Sequence, residues 1–179
     1  ITDFSRLFND QLNFISDISK WDVSNGSDFN GMFENAISFN QDIGSWDVSN
    51  GADFSDMFKN AESFNQDIGS WNVSNGTDFY AMFNQADVFN QDIGNWNVSN
   101  GTDFRIMFED AIAFDQDIRQ WNVSSSAGLY HMLNNSGLID APATPTRSNY
   151  NNDDGYFIEE IASSSTNLTD SEAIHYIAS

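Results

Sequence analysis

The chain has 179 residues, no cysteine, two prolines and a formal net charge of -21 with only 6 Lys and Arg. That balance argues against a phosphate-neutralising nucleic-acid surface and against docking on anionic lipid, and the lack of thiols excludes disulfides and thiolate metal sites. No apolar run approaches the roughly 18 residues of a membrane helix, so no direct membrane span is expected.

In chain order, Thr2, Asp3, Phe4, Leu7, Phe8, Phe14, Asp17, Ile18 and Trp21 stand 25 places before Ser27, Asp28, Phe29, Met32, Phe33, Phe39, Asp42, Ile43 and Trp46. Residue 1 thus falls inside a repeat, and the chain is expected to be a fragment or processed form of a longer protein. The full unit is WDVSNGADFSDMFKNAESFNQDIG, residues 46–69, with near copies starting at Trp21, Trp71, Trp96 and Trp121. A fixed period without insertions predicts a solenoid in which each unit buries its apolar face against the next.

Within one unit, Trp46 and Val48 alternate with Ser45, Asp47 and Ser49, the pattern of a short half-buried strand. Asn50-Gly51 reads as a turn. Phe54, Met57, Phe58 and Ala61 then follow at i, i+3, i+4 and i+7, which predicts a short helix. Ser27, Thr77 and Thr102 stand where its N-cap belongs, with Asp28, Asp53, Asp78 and Asp103 in the first turn against the helix dipole. The expected fold class is α/β: a leucine-rich-repeat-like solenoid over residues 1–139, with a short parallel β-sheet on one face and short helices on the other. Its first repeat is partial and its last, after Trp121, is degenerate. Residues 140–155 read as a linker and 156–179 as a C-terminal helical tail or cap.

Catalysis finds no support, so no enzyme is expected: His131 and His175 lie outside the regular repeats, and there is no nucleophile elbow, phosphate loop or helical metal-ligand pair. The column Asn25, Asn50, Asn75 and Asn100 reads as a structural ladder, since stacked amides need partners. Asp42, Asp67, Asp92 and Asp117 form an acidic column with two readings, hydrogen bonds to turn amides or bridging by calcium, the one cofactor the sequence suggests. Asn149, Asn151, Asp153 and Glu160 fit part of a calcium loop, but Asp154 stands where its glycine belongs. The outward positions Asp22 and Ser24, Asp47 and Ser49, Asn72 and Ser74, Asn97 and Ser99, and Asn122 and Ser124 would tile one face with short polar groups. That face is either simply hydrated or a docking surface held at little ordering cost. Among the sequons, Asn72, Asn97, Asn122 and Asn167 are candidate N-glycosylation sites.

The run W-[DN]-V-S-N-x-[ST]-D-F-x-x-M-F-x-x-A-x-x-F-N-Q-D-I, covering about residues 2–139, closely resembles the BspA-like leucine-rich repeats of bacterial and protist surface proteins, shared by mycoplasma lipoprotein-associated repeats. The resemblance implies a non-enzymatic extracellular or cell-surface protein that contacts protein or glycan on a neighbouring cell or matrix. A structural alternative is a self-assembling subunit or decoration of an extracellular filament; an ice- or mineral-binding surface is a lesser one. The chain departs from that family where Gly26, Gly51, Gly76 and Gly101 stand for valine and Phe29, Phe54, Phe79 and Phe104 for methionine. This paired swap reads as volume compensation.

Overall fold

The computed structural model describes residues 1–138. The linker expected over 140–155, its calcium-loop residues and the tail expected over 156–179 lie outside the described residues. The chain winds in passes of 25 residues laid side by side, with isolated parallel bridges joining Asp3, Asp28, Asp53, Asp78, Asp103 and Gly128 in series.

The expected helices and sheet are not present among the described residues, which contain no helix and only those single bridges. The physical reason lies in where the amides go. After Phe29, the N–H groups of Met32, Glu34 and Ala36 close tight turns onto the carbonyls of Phe29, Gly31 and Phe33 at 3.0–3.2 Å. The alternate N–H groups of Phe29, Gly31, Phe33 and Asn35 instead reach the next pass, at Asp53, Ser55, Met57 and Lys59, at 2.8–2.9 Å. An α-helix would spend all of them on its own i−4 carbonyls. Two residues in each such stretch, here Gly31 at φ 56° and Asn35 at φ 58°, are also left-handed, which a right-handed helix forbids. The i, i+3, i+4, i+7 spacing still marks the inner face, because Phe29, Met32, Phe33 and Ala36 are all fully buried.

The strand expected at Trp46 to Val48 does not form either, although its alternation marks the inner and outer positions. Trp46 and Val48 are buried and Asp47 is exposed, but the flanking amides close turns, Trp46 N–H onto Ile43 and Gly51 N–H onto Val48. No ladder forms there. The expected N-caps also have other work: Ser27, Thr77 and Thr102 donate their hydroxyls to Thr2, Ala52 and Thr77 carbonyls on the preceding pass. The carboxylates of Asp28, Asp53, Asp78 and Asp103 accept the amide two residues on, at 2.9–3.0 Å, closing an Asx turn instead of starting a helix.

Three columns of phenylalanine fill the interior. Phe29, Phe54, Phe79 and Phe104 stack at 5.2–5.6 Å, Phe33, Phe58, Phe83 and Phe108 at 5.5–5.6 Å, and Phe39, Phe64, Phe89 and Phe114 at 5.7–5.9 Å. Each buried ring contributes about 1.5–3 kcal/mol of apolar transfer. The glycine-for-valine exchange is explained here: a Cβ added at Gly26, Gly51, Gly76 or Gly101 would meet the ring of Phe29, Phe54, Phe79 or Phe104 at under 3.0 Å. The ring takes the room the missing side chain leaves.

Candidate functional site

On the half of each pass between Asn40 and Gly51, side chains rather than backbone join neighbouring passes. The indole Nε1 of Trp46, Trp71, Trp96 and Trp121 donates to the carbonyl of Ile18, Ile43, Ile68 and Ile93 at 3.0–3.1 Å. These four tryptophans are buried, while Trp21, with no described pass before it, is 42% exposed. The asparagine column is the ladder the sequence suggests: Asn50, Asn75 and Asn100 donate Nδ2 to Ser24, Ser49 and Ser74 carbonyls at 2.7–2.8 Å. A second ladder was not legible as one. Asn40 Oδ1 accepts both Asn65 N–H and Gln66 Nε2, and Asn65 Oδ1 and Asn90 Oδ1 do the same for Asn90 N–H with Gln91 Nε2 and Asp115 N–H with Gln116 Nε2. The recurrent Asn-Gln pair was its signal.

These bonds set the candidate face. Asp22, Asp47, Asn72, Asn97 and Asn122 are all exposed, one per pass. Their side chains are not idle, because Asp22, Asp47, Asn72 and Asn97 accept the amides of Ser24, Ser49, Ser74 and Ser99 at 3.0–3.2 Å. Ser24 and Ser99 add their hydroxyls at 2.6 and 2.8 Å. The hydroxyl and then the amide of Ser24 hold the Asp22 carboxyl below the usual carboxylate range, and Ser49 does the same to Asp47. Each acid or amide thus turns one oxygen to its own loop and the rest of its head group to solvent. At Asn122 the pattern changes, with Ser124 Oγ paired to Ser126.

In the acidic column, Asp42, Asp67 and Asp92 accept the amides of Gly44, Gly69 and Gly94 at 3.0 Å, the turn bonds that were one of its two readings. Asp117 takes the amide and guanidinium of Arg119, whose hydrogen bonds lower its carboxyl. Among the described residues no three His, Cys, Asp or Glu side chains gather to hold a metal ion. Of the sequon residues, Asn72, Asn97 and Asn122 are exposed, and Asn167 lies outside the described residues. His131 Nδ1 lies 3.0 Å from Glu109 Oε1, which also accepts Asn134 Nδ2 at 2.8 Å. This is a clasp between the last two passes.

The family described as "Mycoplasma protein of unknown function, DUF285" matches residues 1–87 and again 54–145. The chain belongs to this family. Two overlapping matches are what a tandem array of DUF285 units gives, in keeping with the ladders above. No curated protein and no solved structure matches the chain. DUF285 membership identifies a mycoplasma-type repeat protein and brings no activity with it.

Proposed function

We propose that the chain is a non-enzymatic recognition module, related to the BspA-like surface repeats and working at the cell surface or outside the cell in adhesion or protein–protein contact. The observation that supports this reading is the exposed column Asp22, Asp47, Asn72, Asn97 and Asn122, its first four members fixed by turn bonds, on a core of stacked rings. A partner meeting such a face pays little to order it. The test is binding of the full chain to a glycan array and to a panel of purified matrix proteins. The comparison variant carries Asp47→Asn, Asn72→Asp and Asn97→Asp, which keep the oxygen each serine amide needs and redistribute the outward charge. Binding that weakens at least about tenfold places the contact on this column, a size typical of a few interface residues. Unchanged binding removes the column from the contact, and no binding to any member of either panel overturns the reading.

A further inference from the structure

Five times in the chain an asparagine is followed by glycine, at Asn25-Gly26, Asn30-Gly31, Asn50-Gly51, Asn75-Gly76 and Asn100-Gly101. This pair is especially open to attack on itself, because glycine has no Cβ to keep its nitrogen away from the asparagine Cγ. As that nitrogen bonds to Cγ, the Cγ–Nδ2 bond breaks, the nitrogen's proton leaves with Nδ2 as ammonia, and a succinimide closes. Water then opens the ring at either carbonyl, giving aspartate or isoaspartate.

The array needs both halves of the pair. A Cβ added at Gly26, Gly51, Gly76 or Gly101 would meet a phenylalanine ring at under 3.0 Å, and Asn50, Asn75 and Asn100 tie their turns to the preceding pass. A labile pair therefore recurs in pass after pass, and Asn25, Asn50, Asn75 and Asn100 are all exposed to water.

The bonds between passes occupy the reacting groups. Asn50, Asn75 and Asn100 give Nδ2 to the Ser24, Ser49 and Ser74 carbonyls at 2.7–2.8 Å, while Gly51, Gly76 and Gly101 give N–H to Val48, Val73 and Val98 at 2.8–2.9 Å. Turning Cγ onto the glycine nitrogen breaks the first bond, and freeing the nitrogen breaks the second. Asn30 is held from the following pass, with Nδ2 2.7 Å from Ser55 Oγ and Gly31 N–H 2.8 Å from Ser55 O. Asn25 differs. Gly26 N–H still reaches Val23 at 2.7 Å, but Asn25 Nδ2 has no hydrogen-bond partner among the described residues.

We infer that the amide bonds between passes guard Asn30, Asn50, Asn75 and Asn100 against deamidation, and that Asn25 is the site of this modification in the folded chain. Conversion there adds a carboxylate beside Ser24, at the Asp22 end of the exposed column, and the isoaspartate form adds a main-chain carbon to the turn that Gly26 closes. The inference stands apart from the recognition reading, since it asks nothing of a partner.

The test incubates the full chain at pH 8, in buffer and in urea above the unfolding transition, and follows each asparagine by chymotryptic mapping and mass spectrometry. In the folded chain Asn25 should convert about fivefold faster than Asn50, Asn75 and Asn100, the size that one net hydrogen bond allows. In urea the guarded sites should accelerate to the Asn25 rate, because opening no longer limits them. Ser55→Ala removes the Oγ acceptor and leaves Asn30 Nδ2 only the Ser55 carbonyl at 3.3 Å, so Asn30 should convert about threefold faster while Asn75 and Asn100 keep their rates. Equal rates at the five sites in the folded chain would overturn the inference, as would guarded sites that do not accelerate in urea. So would a Ser55→Ala chain in which Asn30 is unmoved, or in which Asn75 and Asn100 rise with it, the mark of global opening rather than of a local guard.

Discussion

The two halves of each pass are held to their neighbours by different means. From Phe29 to Asn35 the main chain does the joining, each second amide reaching the next pass, and Ser38 N–H then reaches back to Leu12 on the preceding one. From Asn40 to Gly51 the joining is done by the Trp46 indole and by the Asn40, Gln66 and Asn50 amides. The consequence is visible inside one sequence. Where side chains are the links, Trp-x-Val-Ser persists in five copies. Where the backbone is the link, one and the same position drifts freely, as Arg6, Gly31, Asp56, Ala81, Ile106 and His131 show. Variation is therefore permitted on the backbone-bonded half, and that is where Tyr80, Arg105 and Tyr130 have accumulated.

The largest effect that could break this comparison comes from the indole link. Trp71→Ala should lower stability by about 3–5 kcal/mol, through lost ring burial and the cavity left behind. Trp71→Phe keeps most of the apolar volume but removes the indole bond to the Ile43 carbonyl, which retains the Trp46 N–H, and should cost about 0.5–1.5 kcal/mol. Tyr80→Ser, nine residues on and in the other half, should stay within about 0.5 kcal/mol, as surface changes do. Urea unfolding followed by the remaining tryptophans measures all three. If Tyr80→Ser costs as much as Trp71→Phe, the two halves are not bonded differently.

A second comparison concerns volume at the junction between the halves. Gly51→Val alone should cost about 1–3 kcal/mol, because its side chain runs into the Phe54 ring. Adding Phe54→Met should recover part of that, with a coupling of about 0.5–3 kcal/mol in a double-mutant cycle. Strictly additive costs would show that ring and glycine are not partners in one space.

Burial was legible in the sequence and hydrogen bonding was not, and the reason is physical. Apolar spacing reports which residues face inward, so Phe54, Met57, Phe58 and Ala61, like Trp46 and Val48, are buried as expected. Spacing says nothing of whether an amide bonds within its own turn or to the next pass. A signal against helix was present: the column Asp10, Asn35, Asn60, Gln85, Asp110 and Asn135 consists of acids and amides, and all six are left-handed. Asn and Asp are the non-glycine residues that accept that conformation most readily. The polar face at Asp47 and Asn72 is exposed as its alternation suggested, but its turn bonds were not foreseen, and Tyr80 with Arg105 was not singled out.

The left-handed positions offer a smaller test. Ile106 sits at φ 51°, where a β-branched side chain crowds the backbone. Ile106→Asn should raise stability by up to about 1 kcal/mol by relieving that crowding. Since the side chain there is only half-buried, little packing is lost in exchange. An unchanged or lower urea midpoint would mean that Ile106 contributes packing which outweighs its strain.

The smallest expected effects are on acid titration, and here Asp47 and Asp78 should differ in sign. In the side-chain-bonded half, Ser49 holds the Asp47 carboxyl below its unfolded value, which is about 4. That stabilisation is present above the unfolded value and is lost as pH falls through the lower folded one. In the backbone-bonded half, burial raises Asp78, with Asp53 and Asp103 adding to it. A raised carboxyl binds its proton more tightly when folded, so it opposes folding at neutral pH and ceases to as pH falls through the folded value toward the unfolded one. Asp78→Asn, which keeps the oxygen that accepts Tyr80 N–H, should therefore be more stable than wild type at pH 7 and lose that lead toward pH 4. Asp47→Asn should be less stable at pH 7 and close its deficit below pH 4. Urea midpoints for both variants from pH 7 to pH 3 give the two slopes, and slopes of the same sign would show that both acids feel one common field rather than their own hydrogen bonds and burial.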